Sequence, residues 1–486
     1  MWTDTTASRN EDHEALLPSP CPSTSSSSEY TFPPQGRWKR MTRSMLGTLL
    51  RLLLFAVPSF LRATPQVADS NGFEKQSSMD ITPKTFTTQY LDGVRGLASF
   101  IVFIFHFTHL LFPSTNSGFI IGSNNTSIWQ LPMIRFAYSG AAMVSVFFIV
   151  SGYVLTHRYI QKMYTRDYLS LYTSLTSLTF RRALRLFLPS LASCILAFIC
   201  ASVGIVVPPK NIHKQPFTHG LPALLQYIDL ESNPWTWDSY MDGFYNPQLW
   251  SIALEYRGSM VVFLCVLGLA RTRASVRVAT ESAITLHAFA HKRWDVALFV
   301  SGMIVGELDV LVHNSSVRKG LMQKKLVKAL LVTLLLVGVW LSGYPRDNAM
   351  KSYGYQWLDP VLPRNHYRRR LVTAVSAIMM VAPLPYLPFI QSFFLTRLLK
   401  YLGKISFALY LIHGLGNRTV GIFILNWTAF MFGSQGYWVN VSRMAVSLLL
   451  YVPIIIWWSD IFYRAVDEPS TRFTKWIEGI CADQAS

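Results

Sequence analysis

An arginine and a histidine share one apolar run, Tyr90-Leu-Asp-Gly-Val-Arg-Gly-Leu-Ala-Ser-Phe-Ile-Val-Phe-Ile-Phe-His-Phe-Thr-His109. Read as a helix at about 100° per residue, Arg95 and His106 return to within roughly 20° of one face and lie about 16 Å apart along the axis. An ionisable side chain in so apolar a segment is costly and by default points to function. Histidine titrates nearest neutrality, so His106 could take a proton from a reacting hydroxyl and return it; the plain alternative is a neutral histidine bonded to a neighbouring helix. His109, three residues on and on roughly the same side, is the substitute base.

Three more constellations sit in later apolar runs. Phe147-Phe-Ile-Val-Ser-Gly-Tyr153 carries the small pair Ser151 and Gly152, which also suits close helix packing. Arg181, Arg182 and Arg185 stand before the next run, either as anchors at a membrane surface or as a clamp for phosphates. Trp250-Ser-Ile-Ala-Leu-Glu-Tyr256 places a carboxylate, Glu255, near the start of its run. Its structural reading is an ion pair near the lumenal end of its span, with a partner such as Arg257 of a neighbouring copy or an arginine of a loop.

The elements that must hold these residues are membrane helices. Only 14% of the 486 residues are charged against 51% hydrophobic, well below the roughly 25% charged of a soluble domain. Nine runs read as spans: about 96–113, 139–160, 184–207, 250–270, 294–312, 326–344, 371–390, 398–416 and 441–463. A tenth, 274–291, holds Arg277, Glu281 and His287 and is kept because it places the basic run Arg318 to Lys328 inside. Both termini then face the cytoplasm, the loop 159–182 is inside, and the loops 114–138 and 208–249 are lumenal, the first with glycosylation sequons at Asn124 and Asn125. Arg364 and Arg368 to Arg370 violate the same charge rule. The net charge of +18 lies in short clusters between apolar runs, which excludes a nucleic-acid partner and fits membrane lipids. The five cysteines show no CxxC spacing, so neither a disulfide framework nor a metal site is expected. The fold class is therefore an all-α polytopic transmembrane helix bundle of about ten spans, since every backbone group in hydrocarbon must be bonded internally.

The order of these motifs resembles the acyltransferase 3 family, polytopic enzymes that move acyl groups from acyl-coenzyme A to hydroxyl or amine acceptors. The resemblance runs from about Tyr90 to Glu468. It rests on Asp92-Gly-Val-Arg-Gly96 with His106, the Phe-Phe-x-x-Ser-Gly-Tyr run, Arg182 with Arg185, Trp250-Ser-x-x-x-Glu255, Gly403-Lys-Ile-Ser-Phe-Ala-Leu-Tyr-Leu-Ile-His413 and Asp467-Glu-Pro-Ser470. It implies catalysis by His106 and Arg95, donor binding by Arg182 and Arg185, and support from Asp92, Ser151 and Glu255. The Ser/Pro-rich tail and lumenal sequons look like the filamentous-fungal members, several of which decorate terpenoids and polyketides with acetyl-coenzyme A as the usual donor.

The implied function is transfer of an acyl group, expected to be acetyl, from acyl-CoA to a hydroxyl of a small secondary metabolite, with no tightly bound cofactor. The enzyme is expected in the endoplasmic reticulum or another endomembrane. The alternative is a transporter or flippase of a lipophilic small molecule, against which stands the lack of correspondence between the two halves of the chain. The expected organisation is a disordered cytoplasmic tail at 1–44 without the order of a signal peptide, an interfacial amphipathic helix at 45–62, the membrane domain at 85–470 and a short cytoplasmic tail at 471–486.

Overall fold

The computed structural model describes residues 55–59, 88–121, 126–206, 220–235, 245–358, 360–363 and 367–482. The expected tail at 1–44, most of the interfacial helix at 45–62 and the sequon residues Asn124 and Asn125 lie outside them. Met1–Val57 forms a unit of its own, of which only the helical end at 55–57 is described; the bundle is Pro58–Ser486.

Among the described residues the bundle is helical, with no strand beyond a single bridge between Ser117 and Asp347. In chain order the helices are α1 (Tyr90–Leu111), α2 (Gly140–Thr165), α3 (Tyr168–Ser202), α4 (Gly220–Ser232), α5 (Trp250–Leu269), α6 (Ala274–Ala290), α7 (Trp294–His313), α8 (Ser316–Gln323), α9 (Lys325–Ser342), α10 (Tyr367–Val381), α11 (Pro388–Phe394), α12 (Arg397–Gly416), α13 (Ile422–Phe432), α14 (Tyr437–Phe462) and α15 (Glu468–Cys481). Eight helical stretches among the described residues are long and apolar enough to cross a bilayer, and Tyr367–Tyr386 with Pro388–Phe394, bent by 104°, makes a ninth. Eight of the nine clear expected spans fall on those stretches, and 371–390 is the bent one. The protein is an integral, multi-pass membrane protein.

The doubtful segment 274–291 forms α6, 17 residues and about 25 Å long. Its polar residues Arg277, Glu281 and Thr285 recur every fourth position and are all buried, whereas Val276 and Leu286 point outward. Arg277 donates to Glu307 of α7 at 2.6 Å. The arrangement inverts a soluble amphipathic helix, and a hydropathy average cannot see it, because the charges face protein and the apolar side faces out.

Two close pairs set the frame. The Gly152 and Gly302 backbones meet where α2 crosses α7: a Cβ on Gly152 would lie 2.0 Å from the Phe299 carbonyl oxygen, and one on Gly302 2.1 Å from that of Ile149. Small residues let helices approach when lipid supplies no hydrophobic drive. In the second pair α1 and α12 run side by side, with Gly96 against the backbone of Leu399 to Gly403. Since both run in the same direction, residues ten further along each helix come level again.

Beyond α1 and α9 two loops clasp each other into a cap. Arg346 and Asp347 donate backbone N–H to the Asn116 carbonyl at 2.9 and 3.1 Å, and Tyr353 to that of Phe119 at 2.7 Å. Arg135 is buried there and donates to the carbonyls of Gly343, Thr115 and Ser117 at 2.6, 2.8 and 2.7 Å. Desolvation lowers its guanidinium below the usual arginine range. The arginines that broke the charge rule are likewise structural in part: Arg368 donates to the carbonyls of Pro363 and Leu362, and Arg370 lies 4.8 Å from the ring centres of both Trp250 and Trp294. An arginine spent inside the protein carries no topological signal, which removes the conflict at Arg368 and Arg370; Arg364 lies outside the described residues.

Candidate active site

The level pairing of α1 and α12 brings two histidines together. His106 of α1 and His413 of α12 have ring centres 5.2 Å apart. His413 is buried, and its Nδ1 lies 3.2 Å from the Leu409 carbonyl oxygen one turn back. That contact requires the proton on Nδ1 and leaves Nε2 with its lone pair. His106 is surrounded by protein yet keeps open surface. It makes no hydrogen bond to a described residue and is held by the rings of Phe105 and His413. His109 is turned away toward the cap, its Nε2 3.5 Å from Asn116 Nδ2, and its ring stacks on Phe105.

The segment before α5 packs on α12. Asn246 and Gln248 donate to the Leu411 carbonyl of α12 at 2.9 and 3.0 Å, Asn246 also to Ser193 Oγ of α3 at 2.9 Å. Tyr410 donates to the Gln248 carbonyl at 3.0 Å, and its ring centre is 5.8 Å from that of His413. Irregular backbone at this depth is tolerable only because protein surrounds it and bonds its polar groups. The chain therefore dips into the bundle, and α5 starts level with His413.

That depth corrects the placing of Glu255. It does not sit at an outer, lumenal end paired with a loop or a second copy; Arg182 of α3 donates to it at 3.0 Å, Ser151 lies at 3.5 Å, and Arg182 also donates to Ser259 at 2.9 Å. Arg257 instead binds Asp295 at 2.7 Å. Ser151 and Gly152 thus divide their work, the serine facing the carboxylate and the glycine the α7 backbone.

One turn beyond that pair lies a cationic patch. Arg95, Arg182 and Arg185 are near enough to repel one another, and Asp467 is the nearby counter-charge to Arg95 and Arg185. Arg182 is committed to Glu255. Arg185 makes no hydrogen bond or ion pair with a described residue and keeps open surface although protein encloses it. Arg95 has only a long 3.9 Å contact with exposed Asp92, and its Nε is buried without a partner. Arg181 faces outward to Glu478 of α15 at 2.9 Å. Asp467 ends a π turn, Tyr463–Asp467, and a second π turn, Asn417–Gly421, follows His413; such turns recur at functional sites. The bundle thus holds a pair of imidazoles and, about 16 Å from His106 along α1 toward its start, the guanidinium of Arg95, with Arg185 near it. An apolar cavity of about 190 Å³, lined by residues such as Phe187, Cys194 and Ile252, offers nothing for an anion or a proton.

His413, Asn246, Gln248 and Tyr410 are functional candidates that spacing within one span did not single out. A second intramembrane histidine closing the Gly403 to His413 motif was the available signal.

No solved structure matches this chain. Curated relatives do: an O-acetyltransferase, PaAT-1, of Phomopsis amygdali is 25% identical over 430 residues, covering 80% of this chain and 84% of its own. Acyltransferase R4 of a Phoma species and acyltransferase clz18 of Cochliobolus lunatus are each 23% identical, over 79% of this chain and 94% of theirs. The model of the family described as an acyltransferase domain, Acyl_transf_3, matches residues 88–464. With that match covering well over half of the chain, the chain belongs to the acyltransferase 3 family and is a membrane-bound acyltransferase.

Proposed function

We propose that this protein transfers an acetyl group from acetyl-coenzyme A to a hydroxyl of a small secondary metabolite, such as a terpenoid or polyketide, at an endomembrane. The observation that carries this reading is the His106–His413 pair with Arg95 and Arg185 on the side toward the start of α1, Arg185 without a side-chain hydrogen bond or ion pair among the described residues and Arg95 with only its long contact to Asp92. Phosphates of the donor suit guanidinium forks, and a long thin arm can reach from them to the imidazoles. Arg95, about 16 Å from His106 along α1, is suited to donor phosphate and too far to touch the acyl carbonyl.

In the proposed step His106 takes the proton of the acceptor hydroxyl as its oxygen attacks the thioester carbonyl. The tetrahedral intermediate collapses with loss of the coenzyme A thiolate, which takes the proton back from His106. His413 holds His106 in place, and Arg182 with Glu255 fixes α3 against α5 below them. The acetyl identity is supported by the name of PaAT-1, which is 25% identical. Deleting the gene in its host and comparing extracted metabolites by mass tests the reading: one species should vanish and one lighter by an acetyl increment should accumulate. An unchanged profile under conditions where the gene is expressed would overturn it.

A further inference from the structure

A second cationic cluster lies on the cap side of the histidine pair. Among the described residues, Arg369 and Arg370 at the start of α10, Arg346 and Arg135 of the cap, and one acidic residue, Asp347, lie close enough to act on one another. Arg135 is saturated by backbone carbonyls and Arg370 is stacked on Trp250 and Trp294. Arg369 is different. Its side chain is enclosed by protein, retains some open surface, makes no hydrogen bond to a described residue, and has its Nε buried without a partner among them. Among the described residues, three of the four charged groups that act on it most are cations, which favours a negatively charged ligand there.

Side-chain contacts tie this cluster to the reacting centre. Arg370 covers Trp250, the next residue Ser251 lies 2.6 Å from the Tyr410 hydroxyl, and Tyr410 packs on His413. His109 bridges from the other side, since Arg346 and Asp347 act on it as well. Two arginine clusters flank one imidazole pair, and Arg95 and Arg185 are the ones assigned above to donor phosphates. An anion at the second cluster then belongs to the other substrate. We propose that Arg369, flanked by Arg346 and Arg370, binds a carboxylate carried by the acceptor, so that the acceptor is a hydroxy acid held by its carboxylate while its hydroxyl reaches His106. This rests on the acyl-transfer reading of the histidine pair. A guanidinium fork matches a carboxylate with two parallel bonds.

The test is residue-by-residue phenylglyoxal labelling of the purified full chain in maltoside micelles, read by mass spectrometry. ω-Hydroxypalmitate should slow labelling of Arg369 at least about fivefold, and its methyl ester should not. Arg369→Gln should abolish the protection that the acid gives Arg346 while coenzyme A still protects Arg185, which shows the variant folded. Equal protection by acid and ester, or none by the acid, would overturn the proposal. So would protection by dioleoyl phosphatidate in place of the acid, which would make this a lipid site. Failure of coenzyme A to protect Arg95 and Arg185 would instead count against the acyl-transfer reading alone.

Discussion

Among the described residues His106 has no side-chain hydrogen bond to hold it, so its aim depends on the Phe105 and His413 rings. An imidazole held only by packing loses its alignment when a neighbour changes, and general-base catalysis is lost with alignment. We expect His413→Gln to lower turnover about 10-fold or more with coenzyme A affinity unchanged. Weakened coenzyme A binding at unchanged turnover would put His413 on the donor instead. The Arg182–Glu255 pair behaves differently, because both groups are held deep in the bundle. Glu255→Leu strands a buried cation, at a cost of about 3–5 kcal/mol, whereas Glu255→Leu with Arg182→Met removes both charges. The single variant should give a low membrane yield by fluorescence-detected gel filtration and the double variant should recover it. Equal yields would mean the pair is not buried as a pair.

At the scale of elements, the two glycine crossings decide whether the helices of the site meet. A Cβ on Gly152 would run into backbone of α7 rather than a side chain that could turn away. Gly152→Ala should therefore destabilise by about 1–3 kcal/mol, seen as a lower melting temperature in detergent. Gly268→Ala, where nothing lies within 4 Å, is the matched control and should leave it unchanged. Long apolar runs were legible as spans because hydropathy averages suffice for them. The dip at 245–249 was not, since Asn246 and Gln248 look like ordinary loop residues until the Leu411 carbonyl that receives them is placed. The polar stripe of α6 was legible only through loop charges. Glu255 was read correctly as an ion-paired group but given the wrong partner, because sequence fixes position along a helix and not the depth at which the helix starts. Arg95 and His106 were legible as a pair, as both lie on one helix; the His106–His413 pair joins helices some 300 residues apart in sequence.

For the whole molecule, topology fixes which compartment each arginine cluster faces. Arg95 and Arg185 must face the cytoplasm if coenzyme A enters there, and the cap must then face the lumen. We expect Asn124 or Asn125 to be glycosylated, read as a glycosidase-sensitive mobility shift lost in Asn124→Gln/Asn125→Gln. We expect a tag after Ser486 to be cleaved in intact microsomes. A protected tag would remove one crossing, and α6, which is not among the helices long and apolar enough to cross a bilayer, would be the one. The central claim is the role of His106, and single-turnover acetyl transfer by the purified enzyme, on the acceptor that accumulates in the deletion strain, tests it most directly. His106→Ala should reach the membrane at normal level and bind coenzyme A normally, because no buried charge is stranded. Its transfer rate should fall about 10²–10⁴-fold. A near-normal rate in His106→Ala would contradict a histidine base at this position.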